Sequence, residues 1–261
     1  MYKQRGFTLI ELLVVIAIIA LLMAILMPTL ARVRKQAKKI ACQANLHGWA
    51  HAFAVYADTY DGYLVPGPSG GTMWMSALRR YVGDIDSYFC PMATVPISEI
   101  SGSGGMAGYP HKAWGVYEVE ADWGLRIGDV GSYGMNEWAC HPLRTGEMWD
   151  WFWRTPNIRK ASEVPMFADC TYVDGRPMDT DDPPMLNGEP RLSGGNNPIQ
   201  EMNHFCFNRH DGYINSLMMD YSVRGLGLKE LWLFSWHRTF DTHVGEPTWP
   251  QWMKRFKDYK Y

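Results

Sequence analysis

From Phe7 to Met27 the chain runs 21 residues with a single charge, Glu11. A helix crossing a bilayer needs roughly 20 apolar residues, so this run is long enough to span. A lone carboxylate in hydrocarbon costs several kcal/mol, which makes Glu11 a functional residue by default. Ahead of the run lies a short basic leader, residues 1–6, with Lys3 and Arg5. A cleaved secretory signal has an apolar core of about 7–15 residues followed by a small-residue cleavage site. Here the core is longer, carries Glu11, and ends at Pro28. A plain signal anchor leaves the carboxylate unexplained.

The stretch Gly6-Phe7-Thr8-Leu9-Ile10-Glu11 resembles the N-terminus of type IV prepilins and pseudopilins residue for residue. The resemblance implies cleavage after Gly6 by a membrane-embedded prepilin peptidase and N-methylation of the new terminus, Phe7. It also implies that Glu11 pairs with the terminal amine of a neighbouring subunit as helices stack into a filament. The physics agrees, because an ammonium partner offsets the cost of a carboxylate in lipid.

Beyond the run, Pro28 removes a backbone donor and predicts a kink. Helical spacing then resumes in two stripes. One is small or aliphatic: Leu30, Val33, Ala37, Ile40, Ala44 and Gly48. The other is bulkier: Cys42, Leu46, Trp49, Phe53, Tyr56 and Tyr60. The bulky stripe suits packing on a globular head, and the small one suits close helix–helix contact in a filament. A helix from Phe7 to about Tyr60 would be on the order of 80 Å long, with Asp61-Gly62 as its breaking turn. Between the stripes, Arg32, Arg34, Lys35, Lys38 and Lys39 form either a solvated face or a contact with anionic headgroups. Positive residues normally mark the cytoplasmic side, and more follow the span than precede it. The topology with a cytoplasmic leader therefore follows from the resemblance and not from charge counting.

Removing leader and helix leaves about 200 residues, enough for one domain with its own core. Pro66-Gly67-Pro68-Ser69-Gly70-Gly71 and Ser101-Gly102-Ser103-Gly104-Gly105 read as loops, and residues 178–198 as a long irregular insertion. Strands are predicted at Val164–Phe167, Ile214–Met219 and Leu231–Phe234. The expected fold is α+β and pilin-like: a long N-terminal helix, transmembrane in its first half, packed on a small antiparallel sheet with long loops. The boundaries are 1–6 leader, 7–28 transmembrane and assembly helix, 29–60 extramembrane helix, and 61–261 head.

A net charge of −2 gives no reason to expect a nucleic-acid partner. Twelve Trp and fourteen Tyr fit either a sugar-binding surface or an aromatic core, and core packing is the simpler account. Cys42, Cys90, Cys140, Cys170 and Cys206 all lie beyond the span, on what would be the oxidising side of a bacterial inner membrane. With five cysteines, two disulfides leave one thiol over, in any of about 15 pairings. No Cys-x-x-Cys occurs, so neither a redox motif nor a zinc ribbon is expected.

Short distal elements resemble the H-x9-DG, or prepilin-processing-associated, branch of pseudopilin-like proteins. They are the residues 57–66 after the helix, Tyr88-Phe89-Cys90-Pro91, and Ser132-Tyr133-Gly134-Met135-Asn136. The name-giving motif appears as His210, nine residues, then Asp220, but Tyr221 replaces the glycine. Tyr tolerates positive φ poorly, which argues against a tight turn there. His210-Asp211-Gly212 reads as a turn into the strand at Ile214. His210 and Asp220 would then meet across a hairpin as a structural clasp, or as a metal or catalytic pair. No Gly-x-Ser-x-Gly elbow is present.

His47 and His51 have zinc-binding spacing on the helix but lack a third ligand, so an exposed face is expected. Asp179, Asp181 and Asp182 make calcium a candidate without supplying a binding motif, and no other metal or cofactor is expected. These observations predict a non-enzymatic subunit of a type IV pilus-like or type II secretion pseudopilus filament. Its partners are prepilin peptidase, other subunits and the inner membrane. It is anchored by a single pass, with its head in the periplasm or in a cell-surface filament. Two alternatives stand beside it: a membrane-anchored carbohydrate-binding or adhesive module, and a tethered enzyme using His210 and Asp220.

Overall fold

In the computed structural model, residues 9–67, 73–95, 107–115, 124–142, 148–188 and 200–260 are described. Helix α1 runs from Leu9 to Thr59, 51 residues, with Pro28 inside it. Next to the proline, the Thr29 hydroxyl donates to the Leu26 carbonyl at 2.8 Å, a local bond that occupies a backbone acceptor near the missing N–H. The helix ends where the sequence predicts. Asp61 and Gly62 take φ of 53° and 80°, and the Gly62 N–H reaches back to the Ala57 carbonyl at 2.8 Å. A left-handed residue with a six-to-one bond is a Schellman-type stop.

The chain divides into two compact units, residues 1–38 and residues 39–261. The second begins within α1. There Cys42, Leu46, Trp49, Phe53 and Tyr56 are buried. This is the predicted bulky stripe, except that Tyr60 lies exposed at the end of the helix. The small stripe, from Leu30 to Gly48, is exposed throughout.

The head is built on a five-stranded sheet in the order β3-β1-β2-β4-β5. The strands are β1 (Tyr133–Asn136), β2 (Pro165–Asp169), β3 (Asp174–Gly175), β4 (Tyr213–Met218) and β5 (Val223–Gly227). All neighbours are antiparallel except β1 and β3, which are parallel, so the sheet is mixed rather than purely antiparallel. Both faces are covered. Phe167 and Leu217 join the core beside α1, whereas Ala168, Ile214 and Met218 join a second core. A register shift between Pro165 and Phe167 puts Met166 and Phe167 in the same core, as a bulge does to strand alternation.

The α1-side core is aromatic. Phe167 lies 5.2 Å from Trp49, 4.8 Å from Trp74 and 5.5 Å from Phe53, ring centre to ring centre. Helix α2 (Trp74–Leu78) brings Trp74 into this group.

The strand expected at Leu231–Phe234 is instead part of a 3₁₀ helix, Leu228–Leu233. Short apolar runs do not separate strand from buried helix by periodicity. Here local capping decides: the Glu230 carboxylate accepts the Gly227 N–H at 3.0 Å.

Candidate functional site

Gly6 and Phe7 lie outside the described residues, and Glu11 falls in the first turn of α1. Every Leu, Ile, Val and Met from Leu9 to Met27 is exposed, between 44% and 78%. A continuous apolar helix left in water is unfavourable at about 25 cal/mol per Å². Such a surface marks a membrane or partner site. Among the described residues, α1 is the one helix long and apolar enough to cross a membrane.

The head contains a second functional candidate, a sealed polar centre at the end of β2. Asp169 and Arg209 are fully buried and joined at 2.9 Å. The Asp169 carboxylate also accepts the Asn215 N–H at 2.8 Å and lies 3.1 Å from His210 Nε2. Arg209 spends three further N–H groups on the carbonyls of Ser132 at 2.6 Å, Pro110 at 2.7 Å and Cys170 at 3.3 Å. The turn that presents these residues is tight. The Asn208 side chain accepts the Gly212 N–H at 2.8 Å, and Asp211 and Gly212 have φ of 54° and 89°. It leads directly into β4, as the sequence predicts.

Two thiols complete the centre. Cys90 Sγ is 3.3 Å from His210 Nε2. Cys42 Sγ is 3.6 Å from Asp169 Oδ1 and accepts a bond from the Tyr133 hydroxyl at 3.3 Å. Burial opposes charge on Asp169, but His210, Arg209 and the Asn215 N–H hold its carboxyl well below the usual range. Burial likewise opposes charge on His210, and the adjacent Asp169 outweighs it, lifting the imidazole to about 9. For Cys90, burial is outweighed by hydrogen bonds from Cys42 and His210, which bring the thiol to about 7.

His210 thus has a partner other than the expected one. Asp220 instead accepts from Ser222, at 3.0 Å from its N–H and 2.6 Å from its hydroxyl, so the predicted His210–Asp220 clasp does not form. The motif builds a different feature. Asp220 caps the turn between β4 and β5, with Tyr221 at φ 65°, and the turn is tight despite the missing glycine.

The five cysteines, Cys42, Cys90, Cys140, Cys170 and Cys206, are buried free thiols and form none of the expected bridges. Cys140 lies in the α1-side core with Cys42 and Cys90, whereas Cys170 and Cys206 lie in the other. His47 and His51 are exposed on α1. Asp181 accepts the N–H groups of Met178 and Met202, and Asp179 and Asp182 accept from Asp241 and Gln200. All three therefore brace loops.

Cys90, His210 and Asp169 have the order of a nucleophile, a base and its orienting acid. Cys90 and Asp169 are 0% exposed, however, and His210 only 6%. The geometry offers no route for a substrate. Of the tryptophans described, six are buried and five are half-buried. The buried six serve packing.

Comparison with known proteins agrees with the helix. Residues 1–27 match the family model "Prokaryotic N-terminal methylation motif". The chain is 31% identical over 109 residues to "Type IV wide pilus major component PilA4" of Thermus thermophilus, covering 30% of this chain and 83% of that protein. No solved structure matches. An apolar N-terminal helix carrying a methylation motif, joined to an α+β head, defines a filament subunit that is structural and not enzymatic. The chain belongs to the family of type IV pilin-like proteins, and assembly with other pilin subunits goes with that membership.

Proposed function

We propose that the chain is made as a prepilin, cleaved after Gly6 by prepilin peptidase and methylated at Phe7. It then assembles through α1 into a type IV pilus-like or type II secretion pseudopilus filament. Before assembly, residues 7–28 hold it in the bacterial inner membrane by a single pass, with the head in the periplasm. After assembly the head is displayed along the filament and carries its contacts to other subunits or cargo.

The single observation that carries this reading is the sequence Gly6-Phe7-Thr8-Leu9-Ile10-Glu11 at the start of a helix whose apolar side chains from Leu9 to Met27 are exposed. Burying that surface in lipid and then against sister helices answers the same physical need twice. The six buried tryptophans give a sugar-binding role for the head no surface.

The test is the mass of the N-terminal peptide of the protein isolated from its native membrane. A peptide beginning at Phe7 with one added methyl is the expected result. A peptide still beginning at Met1 would overturn the processing pathway and leave an anchored head.

A further inference from the structure

We infer that Cys42, Cys90, Asp169 and His210 form a structural zinc site in the head. Their donor atoms come from four separate segments: the head-side half of α1, the loop after Tyr88, the end of β2 and the turn before β4. All of them lie within 4.8 Å of one another.

Three of the donor–donor distances come close to the edges of a ligand tetrahedron. Zinc binds thiolate at about 2.3 Å and imidazole or carboxylate at about 2.0–2.2 Å, which sets ligand–ligand edges of about 3.4–3.8 Å. With Oδ2 as the Asp169 donor, the distances are 3.1 Å to His210 Nε2 and 3.7 Å to Cys42 Sγ, and Cys90 Sγ lies 3.3 Å from His210 Nε2, each within about 0.3 Å of those edges. Two thiolates, a carboxylate and a neutral imidazole around a divalent ion sum to −1. Arg209, bonded to Asp169 at 2.9 Å, returns the buried centre to neutrality. Structural zinc sites are closed and four-coordinate, and this one is sealed from water.

Outer partners are also in place. Arg209 and the Asn215 N–H orient Asp169, and the Tyr133 hydroxyl donates to Cys42. Such groups fix ligands and tune a metal. A polar clasp of Asp169, Arg209 and His210 alone would account for neither thiol. Cys206 differs, with its thiol directed at the Met253 sulfur at 4.0 Å rather than at a carboxylate or an imidazole. Scattered across the chain, these ligands give none of the short spacings by which zinc sites are read from sequence.

On binding, zinc displaces one proton from each of Cys42 and Cys90 and one from His210 where that ring is charged. The protons go to solvent and no redox partner is needed.

The experiment uses the untagged full-length chain in detergent, purified without chelator, with zinc measured by elemental analysis. About one zinc per chain is expected. Exchange for cobalt should give the visible absorption of a tetrahedral ion together with a thiolate-to-cobalt charge-transfer band of two-sulfur intensity. Cys90→Ser should weaken zinc at least tenfold in competition with a chromophoric chelator, while Cys206→Ser leaves it unchanged. The cobalt spectrum needs no variant, so it decides the matter even if Cys90→Ser fails to fold. No bound zinc, zinc without the thiolate band, or a Cys42–Cys90 disulfide in the native protein would each overturn the inference.

Discussion

Arg209 and Asp169 meet at 2.9 Å with both side chains wholly buried, and this pair ties the turn before β4 to the end of β2. Arg209→Met would remove the partner of a buried carboxylate and free the carbonyls of Ser132, Pro110 and Cys170. Breaking one side of a buried pair costs about 3–5 kcal/mol. The expected outcome is a loss of that size, read by denaturant unfolding of the full chain in detergent. Arg209→Lys should recover little, because an ammonium cannot reproduce the planar fork. A loss below about 1 kcal/mol would show that the pair is not what holds the turn.

Gly134 is the middle residue of the Ser-Tyr-Gly-x-Asn element and lies in β1. A Cβ there would fall 2.5 Å from the Tyr172 carbonyl oxygen and 2.7 Å from the Cys170 side chain. The backbone on one side and a buried thiol on the other have no room to yield. Gly134→Ala should cost about 1–3 kcal/mol or more by overpacking, seen as a lowered unfolding midpoint. An unchanged midpoint would mean that the loop at Tyr172 moves freely, against its place between two paired strands.

The helix and its stop were legible in the sequence because both are local. Spacing of three and four marks the face of α1 that packs, and Asp61-Gly62 carries its own turn chemistry. Strands β2 and β4 were visible as apolar runs. Strand β3, only Asp174–Gly175, has no apolar signal and exists because it lies beside β1. The buried centre was largely invisible. The sequence marks His210 through its motif, but the motif points to Asp220, its other member, as the partner. Asp169 is joined to Arg209 and His210 only by the β2–β4 pairing, and a carboxylate closing an apolar strand was the one available hint. Cys42 and Cys90 read as disulfide candidates because spacing says nothing of an aspartate and a histidine folded between them.

His237 offers a pH test outside that centre. Burial holds its imidazole down at about 4, and the ring stacks on Trp151 at 4.7 Å with Nδ1 at 3.1 Å from the Thr239 hydroxyl. The unfolded chain takes up this proton near 6.5 and the folded chain only near 4. The stability from burying a neutral ring is therefore complete above the unfolded value and lost as pH falls through that window. The loss is at most about 3 kcal/mol. Asp181, whose burial raises its carboxyl to about 6, works in the opposite sense across part of the same range. The difference between wild type and His237→Phe isolates the histidine. That difference should shrink in favour of the variant from pH 6.5 down to 4, followed by thermal unfolding, and a flat difference would refute the assignment.

Glu11 separates a filament subunit from a protein that merely borrows a pilin-type anchor. Its carboxylate sits in the first turn of a helix whose other side chains up to Met27 are almost all apolar. In the membrane it is costly unless a cation from a neighbour meets it. Glu11→Gln keeps the shape and removes the charge, while the head, which begins at Lys39, keeps every buried contact described above. The expected result is a protein that is inserted, processed and folded, with an unchanged unfolding midpoint, but recovered at least tenfold less in sheared filaments. On the proposed processing, the amine freed at Phe7 supplies that cation, so blocking cleavage at Gly6 should give the same assembly defect with Glu11 intact. If Glu11→Gln assembles as well as wild type, α1 serves as an anchor only, and the head's own contacts must account for any filament.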